Sequence, residues 1–214
     1  MERSLAPELM DDPGLPEAIW ENFHRELIAV HRLLGNTGAI LDALSRNVRP
    51  IRRVLDIGCG NGALLNEIRR KLGVEVLGVD LRPPKRNAFG ISIVEADAVR
   101  HPLPEADVAI SLLVIHHLSE QDIIGLIRNV GRSVPRFVIL DLVRHPVPLA
   151  LFRVFLCPFF GGPFGADGRQ SIRRAYTPPE LHGIVEHALD GSGAKFEQTV
   201  TPFRSRQMID ISWR

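Results

Sequence analysis

The sequence predicts a single α/β domain built around a largely parallel sheet with helices on both faces. A chain of 214 residues, 45% of them hydrophobic, can bury one substantial core but is short for two domains. From residue 51 onward, short apolar runs alternate with helical patterns, as in βαβ units whose strands are buried on both faces. A glycine-rich turn follows the first apolar run, and such turns join strand to helix at the ligand sites of α/β sheets.

The amino-terminal part is predicted to be helical. Glu17 to Leu34 carries apolar residues at helical spacing with charged residues between them, which indicates an amphipathic helix. Ala39 to Arg46 gives a second, shorter helical pattern, which ends before Pro50. We therefore expect residues 1–49 to form a helical cap and residues 50–214 to form the main domain.

Five apolar runs predict the parallel strands of that domain. Each run is closed by a turn or an acidic residue and is then followed by a helical pattern. The runs cover residues 54–57, 74–79, 91–96, 108–113 and 137–142.

The carboxyl-terminal part has a different pattern. Residues 143–176 are rich in Pro, Gly and Phe and show no clean period, so we expect a lid-like insertion there. Thr177 begins a capping-box pattern, which predicts a helix to about Leu189. Lys195–Val200 and Arg204–Trp213 alternate in polarity and predict an antiparallel pair at the edge of the sheet.

Composition excludes several classes of protein. The formal net charge is +1, which gives no overall electrostatic preference for nucleic acid or an anionic membrane. Two cysteines are too few for a disulfide framework and fit a reducing cytoplasm. The acidic amino terminus does not predict a signal peptide, and the most apolar window is too short for stable membrane insertion. The sequence leaves monomer and homodimer open.

The glycine-rich turn is the first candidate ligand site. Gly58, Gly60 and Gly62 fit a loose dinucleotide fingerprint, and Asp80 ends the next predicted strand near the position of a ribose-binding acid. Asp56 ends the strand before the turn, where a carboxylate repels a pyrophosphate and attracts an ammonium or a sulfonium. The residues therefore favour a cationic cofactor and leave a nicotinamide dinucleotide as the alternative.

Four segments resemble the motifs of class I S-adenosylmethionine-dependent methyltransferases. Val54–Gly62 resembles the first motif, Gly78–Leu81 the second, and Glu95–Ala98 with Pro102–Pro104 the third. Asp107–Leu118 is similar to the fourth strand and its histidine-bearing loop. The resemblance implies the sheet order 3-2-1-4-5-7-6 with strand 7 antiparallel. It also implies S-adenosylmethionine as the cofactor and S-adenosylhomocysteine as the product.

The same resemblance assigns the cofactor-binding residues. Asp80 is expected to bind the two ribose hydroxyls, Asp97 the adenine amino group, and the next backbone N–H a ring nitrogen. Cys59 is expected to pack in the turn rather than react. The full predicted set is Asp56, Gly58, Cys59, Gly60, Asn61, Gly62, Asp80, Leu81, Asp97, Ala98, Ser111 and Leu112.

His116 and His117, directly after the fourth strand, are the candidate catalytic residues. A hydroxyl or acidic carbon must lose a proton when it is methylated, and histidine is suited to accept it near neutral pH. A purely structural role is the alternative for both. Asp141 and His145, after the fifth strand, are weaker candidates for the base. No metal is expected, since no acidic residue ends the fourth strand.

The flanking segments suggest a small, apolar acceptor. The predicted pocket residues are Trp20, Phe23, His145, Phe152 and Tyr176. The phenylalanines expected to help close the pocket are Phe152, Phe155, Phe159, Phe160 and Phe164. The chain lacks the loop typical of amino-directed DNA methyltransferases, so a nucleic-acid substrate is not expected.

A narrower resemblance concerns the two ends of this region. Glu8–Asp12 and Arg173–Pro178 resemble segments of bacterial methyltransferases that modify phenolic, quinone or polyketide lipids. We therefore predict methylation of an oxygen or ring carbon of an aromatic acceptor. An NAD-dependent oxidoreductase and a non-catalytic regulatory protein that binds S-adenosylmethionine are the alternatives.

Overall fold

A seven-stranded sheet forms the centre of the protein, with strand order β3-β2-β1-β4-β5-β7-β6. The structure is a computed structural model that describes residues 1–12, 14–46, 49–86, 88–159 and 162–213. The strands are β1 (Arg53–Ile57), β2 (Glu75–Asp80), β3 (Ser92–Glu95), β4 (Val108–Leu112), β5 (Arg136–Leu142), β6 (Lys195–Val200) and β7 (Arg206–Ser212). The helices are α1 (Glu17–Leu33), α2 (Asn36–Ser45), α3 (Ala63–Leu72), α4 (Glu120–Val130), α5 (Pro146–Leu151), α6 (Gly162–Arg174) and α7 (Pro178–Leu189).

Strand pairing confirms the predicted topology. The central strand β1 is parallel to β2 and β4, with Leu55 opposite Leu77 on one side and Ala109 on the other. β7 is antiparallel to both β5 and β6. The strand order reverses between β1 and β4, and a crevice at the carboxyl ends of strands at such a point is the usual ligand site of an open α/β sheet.

Both faces of the sheet are buried, because side chains alternate along each strand. Leu55 and Ile57 contribute to a core shared with α4 and α7. Val54 belongs to a second core, which includes Ile40 and Leu44 of α2. α2 is therefore part of the layer that covers the sheet, whereas α1 lies at the carboxyl edge.

The insertion is helical, which corrects the expectation of irregular structure in residues 143–176. It contains α5, a π-helical turn at Phe152–Leu156 and α6. Pro146 is the first residue of α5. Its missing backbone N–H does not weaken the helix, because an N–H at this position has no partner within the helix. In α6, Gly168 gives the Phe152 ring the space that a Cβ would occupy. Pro and Gly therefore start and pack these helices, and Phe160 lies outside the described residues.

The carboxyl-terminal predictions agree with the structure. Thr177 and Glu180 form a capping box at the start of α7, and β6 has the predicted bounds. Within the described residues, no helix combines the length and apolar character needed to cross a membrane.

Candidate functional site

A cavity of about 690 Å³ lies at the carboxyl ends of β1, β2 and β4. The glycine-rich turn and the ends of these strands form its floor, and α1 closes it on the opposite side. Its size falls within the range of small-molecule and cofactor sites.

The glycine turn has left-handed backbone at Gly58, Gly60 and Gly62, and the first two of these also make close contacts. Gly58 has φ +72° and Gly60 has φ +53°, conformations that other residues adopt only at a cost. A Cβ on Gly58 would also collide with Val114, and a Cβ on Gly60 would lie 2.7 Å from His24 Nε2. The turn therefore packs its bare backbone between α1 and the segment after β4.

Asp56 is the most unusual carboxylate in the cavity wall. Its side chain is 2% exposed, and its Oδ1 has no hydrogen-bond partner within the described chain. Burial raises the pKa of this carboxyl well above its ordinary value, and the nearby Asp80 raises it further. A buried acceptor without a donor is costly, so this position suits a ligand that brings a cationic donor.

Asp80 and Asp97 are held by backbone donors. Asp80 accepts hydrogen bonds from the N–H groups of Gly60 at 2.7 Å and Arg82 at 2.8 Å. Asp97 accepts one from the N–H of Val99 at 2.9 Å. Both side chains belong to the cavity wall, as the sequence predicted.

Most of the other predicted cofactor residues also line the cavity. They are Gly58, Cys59, Gly60, Asn61, Leu81, Ala98 and Leu112. Burial, together with Asp56 and Asp80, raises the pKa of the Cys59 thiol, which fits the expected packing role. Gly62 and Ser111 lie behind the wall: Gly62 is the residue before α3, and Ser111 is fully buried in β4.

The cavity wall is acidic. Among its described residues are five carboxylates, Asp11, Asp56, Glu67, Asp80 and Asp97, and two guanidinium groups, Arg32 and Arg82. Arg32 pairs with Glu67 at 2.9 Å. Arg82 donates to the carbonyls of Asp12 and Leu15. None of these contacts of Arg32 and Arg82 involves Asp56. Because carboxylates outnumber guanidinium groups, the wall as a whole favours a cation over a pyrophosphate.

The inner face of α1 contributes Trp20, which the sequence predicted as a pocket residue, and two histidines that the sequence interpretation missed. Trp20, His24 and His31 line the cavity, and the His24 ring packs on Trp20 with centroids 3.7 Å apart. Burial lowers the pKa of His24, although its Nδ1 lies 3.0 Å from the Trp20 carbonyl oxygen. Burial, His24 and Arg206 lower the pKa of His31 to about 4. Both are neutral at pH 7 and leave the acidic wall uncompensated. Helical periodicity predicted α1, but it did not show that α1 packs over the glycine-rich turn.

Leu113 is a second residue that the sequence did not reveal. It lines the cavity directly after β4 and has φ +56°, a rare conformation for a residue with a branched side chain. Its N–H donates to the Leu140 carbonyl, which keeps it in line with β5. Backbone strain of this kind often occurs at functional sites.

Of the two candidate catalytic histidines, His117 lines the cavity and His116 does not. His117 Nδ1 lies 2.8 Å from Asp11 Oδ1, and Arg174 pairs with the other oxygen of Asp11. Burial alone would raise the pKa of Asp11, but His117, the Glu8 backbone N–H and Arg174 lower it further than burial raises it. Asp11 is therefore an anion at ion-pair distance from His117 Nδ1, although this contact lacks hydrogen-bond geometry, and it does not contact the other nitrogen of His117.

His116 is buried behind the wall. Its Nδ1 donates to Asp141 Oδ1 at 2.7 Å, and its Nε2 lies 3.8 Å from Glu8 Oε1. Burial opposes ionisation of Asp141, but His116, the Leu142 backbone N–H and His117 together lower the pKa of that carboxyl. His116 and Asp141 together fix the loop after β4 to β5.

Glu8, His116 and His117 present ligand atoms within 4.8 Å of one another, a spacing that could hold a metal ion. The same groups already take part in ion pairs. Arg174 Nη1 lies 3.7 Å from Glu8 Oε1 and also contacts Asp11, so a guanidinium supplies positive charge here. The arrangement is a polar network that attaches the amino terminus to the loop after β4.

The predicted acceptor pocket needs correction. Of its five residues, Trp20 lines the cavity and the other four do not. Phe23 packs on Phe164, with ring centroids 5.8 Å apart, and Phe152 packs on α6. His145 caps α5 by accepting from the Val147 N–H. Phe23 and Phe152 therefore pack against α6, and His145 caps the start of α5.

Tyr176 is likewise structural. Its hydroxyl donates to the Leu118 carbonyl at 2.8 Å, and Arg3 lies over its ring at 4.0 Å. Burial raises its pKa to about 12, so the phenol stays protonated at neutral pH.

Comparison with known proteins shows which family model and which folds this chain resembles. Residues 54–135 match the family model described as a methyltransferase domain. No curated protein sequence matches the chain significantly.

Three solved structures illustrate the shared fold. The plantazolicin methyltransferase BpumL, in complex with SAH, superimposes with a TM-score of 0.72 at 13% identity over 96% of this chain and 93% of that chain. The methyltransferase domain of bacterial CtHen1-C gives a TM-score of 0.62 at 16% identity over 83% and 96% of the two chains. A protein from Nostoc punctiforme PCC 73102, assigned as an O-methyltransferase, gives 0.67 at 15% identity over 99% and 64%. At such identities the similarity establishes the fold.

Proposed function

Because residues 54–135 match a methyltransferase domain and the sheet has the order 3-2-1-4-5-7-6, we propose that this chain is an S-adenosylmethionine-dependent methyltransferase that methylates a small, apolar acceptor. The acceptor atom in this proposal is an oxygen or a ring carbon of an aromatic compound. The proposed methyl donor is S-adenosylmethionine.

One observation carries the choice of cofactor. Asp56 Oδ1 is buried without a partner in a cavity where carboxylates outnumber guanidinium groups. The α-ammonium of S-adenosylmethionine is a donor for such an acceptor, and the sulfonium adds a second positive charge. A pyrophosphate would bring negative charge to the same turn, which disfavours an NAD-dependent oxidoreductase.

In this proposal the protein aligns the acceptor with the methyl group, encloses both in the cavity and removes a proton from the acceptor. S-adenosylmethionine supplies an electrophilic methyl group, and in-line displacement needs its acceptor held close with water excluded. α1 closes the cavity over the turn, and His117 is the proposed proton acceptor for a hydroxyl or an acidic carbon. Asp11 is the proposed positioning residue, which holds Nδ1 and leaves Nε2 to take the proton.

The region of the cavity beside His117 supports an apolar acceptor. The cavity-lining residues near His117 or its partner Asp11 in the chain include Met10, Leu113, Val114 and Leu118. Such a wall favours an aromatic or aliphatic body over a charged one. Phenols, quinones and polyketides have this character.

Calorimetry tests the cofactor, and turnover tests the reaction. We expect binding of S-adenosylmethionine and S-adenosylhomocysteine, and binding of NAD without either of them would contradict the proposal. Methyl transfer from labelled cofactor is then measured for phenols, quinones, polyketides and an azole-containing peptide. Transfer to an apolar aromatic oxygen or carbon supports the acceptor class. Transfer only to the peptide would replace that class, and cofactor binding without any transfer would favour a regulatory protein.

A further inference from the structure

A group of exposed apolar side chains lies outside the cavity. Val154, Phe155, Phe159 and Phe203 are 62%, 62%, 80% and 72% exposed. Single exposed apolar residues are ordinary, but aromatic rings grouped at one edge of a protein mark an interaction surface. We refer to these four residues as the edge patch.

The edge patch lies on the same side of the sheet as the cavity. α5 and the π-helical turn follow the carboxyl end of β5, which is parallel to β4. Phe203 lies in the turn Pro202–Arg204, just before β7, which runs antiparallel to β5 and therefore starts at the same edge. α5 and this turn are in contact. The edge patch and the cavity thus belong to one end of the molecule.

Phe203 is exposed in a turn with strained backbone. Phe203 and Arg204 have φ +60° and +52°, a left-handed conformation that is unfavourable for residues other than glycine. The turn is closed by the Thr201 hydroxyl, which accepts from the Arg206 N–H at 3.0 Å and lies 2.9 Å from the Ser205 hydroxyl. Backbone strain at an exposed aromatic ring points to a function for that ring.

The charge around the edge patch has one sign. The sequence has no Asp or Glu between Asp141 and Asp167, and none between Glu197 and Asp210. The two segments carry Arg153 and Arg204, both exposed. The overall charge of +1 conceals this local excess. A second copy of the chain seated on the same patch would bring like charges together, whereas an anionic surface complements them.

We propose that the edge patch docks reversibly on an anionic lipid surface. The phenylalanines and valine enter the interface between headgroups and acyl chains, and the arginines face the lipid phosphates. Docking turns the cavity's end of the protein toward the lipid, where apolar compounds concentrate. The inference goes beyond the proposed function, and lipid binding requires neither cofactor nor turnover.

Cosedimentation of the full chain with vesicles tests the proposal. The vesicles contain either phosphatidylcholine alone or phosphatidylcholine with phosphatidylglycerol, and no cofactor is present. We expect much stronger binding to the anionic vesicles. F155S/F159S/F203S is expected to lower the partition coefficient at least tenfold, and R153Q and R204Q about fivefold each.

Matched controls use exposed residues at other places. L33S/V94S removes exposed apolar side chains, and R70Q removes an exposed arginine from α3; each should bind vesicles as the unchanged protein does. Thermal unfolding confirms that every variant is folded. No binding to anionic vesicles, or equal loss in the control variants, overturns the proposal. A dimer seen by light scattering without lipid, and abolished by the three serine substitutions, would assign the patch to a second copy instead.

Discussion

At the residue level, Asp56 destabilises the ligand-free protein at neutral pH. Its pKa is raised in the folded state above the ordinary value of 3.8. The Asp56 carboxyl therefore loses its proton at lower pH in the unfolded chain than in the folded protein. As the pH rises from the unfolded-state pKa to the folded-state pKa, Asp56 progressively lowers the free energy of unfolding. Asp56→Asn should raise the melting temperature of the ligand-free protein above pH 5, with little change at pH 3.

Cofactor binding should reverse this effect. An ammonium beside Asp56 lowers the raised pKa, so binding releases a proton and affinity increases with pH between the bound and free values. Calorimetry in buffers of different ionisation enthalpy measures that proton. 5′-Methylthioadenosine lacks the ammonium and serves as the control ligand. Proton release that is unchanged in Asp56→Asn would contradict the assignment.

The second prediction at this level concerns His117 and Asp11. His117→Ala should lower kcat by about 10²-fold with little change in cofactor affinity, because the base is lost and the turn is not touched. Asp11→Asn should cause a smaller fall in kcat, since it disturbs the position of His117 and keeps the ring. KM and kcat are compared with those of Arg128→Gln, on α4 away from the cavity wall. Full kcat in His117→Ala would remove this histidine from proton transfer.

Residues were predictable where local pattern determines position. Asp56, Asp80 and Asp97 each end a strand or follow one, so parallel pairing brings them to one edge, and the structure places all three in the cavity wall. His24 and Asp11 reach the same wall from the amino terminus, and their approach depends on how α1 packs. The spacing of residues in the sequence does not predict that packing.

At the level of elements, the contact between α1 and the glycine turn can be measured. Gly60→Ala combines the cost of left-handed backbone, about 1–2 kcal/mol, with a collision against His24. In a His24→Ala background the collision disappears and only the backbone cost remains. The two substitutions should therefore be non-additive in the free energy of unfolding and in cofactor affinity.

Gly73→Ala is the matched control for this cycle. Gly73 has φ +67° and open space around its Cβ position, so its substitution isolates the backbone cost. Additivity of the Gly60 and His24 substitutions, or an equal coupling of Gly73 with His24, would show that α1 does not press on the turn.

Element prediction succeeded where hydrophobic period was clear and failed in the insertion. The central strands β1, β4 and β5 are largely apolar because both of their faces are buried. In residues 143–176 the Pro and Gly residues usually read as turn formers start or pack helices instead. Their role depends on Phe152 and other neighbours distant in sequence.

At the level of the whole molecule, the amino-terminal segment joins elements that the sheet alone does not connect. Arg3 donates to the carbonyls of Arg174, His116 and Leu118, and Asp167 accepts from the N–H groups of Leu9 and Met10. Neither of the two large cores contains a described residue from this segment.

Removing residues 1–11 should therefore leave a folded protein. We expect a melting temperature about 5–10 °C lower, corresponding to a few kcal/mol, and a large loss of kcat because Asp11 is gone. Cofactor affinity should change little, since the turn and the strand ends remain. Loss of cooperative unfolding, measured by calorimetry, would show instead that the segment is required for the fold.

The topology was predictable from motif order, whereas closure of the site was not. Strand order 3-2-1-4-5-7-6 followed from four motifs in sequence, and the pairing confirms it. The position of the first twelve residues follows from ion pairs such as Arg174 with Asp11, which join distant parts of the chain.

The excess of carboxylates in the cavity wall also bears on turnover. Methyl transfer converts a sulfonium into a neutral thioether, so the cofactor leaves the reaction with one positive charge fewer than it brought. A wall with five carboxylates and two guanidinium groups attracts the donor more strongly than the spent product. In the proposed methyl transfer, the electrostatic free energy of this site would therefore oppose product inhibition and favour replacement of the product by fresh donor.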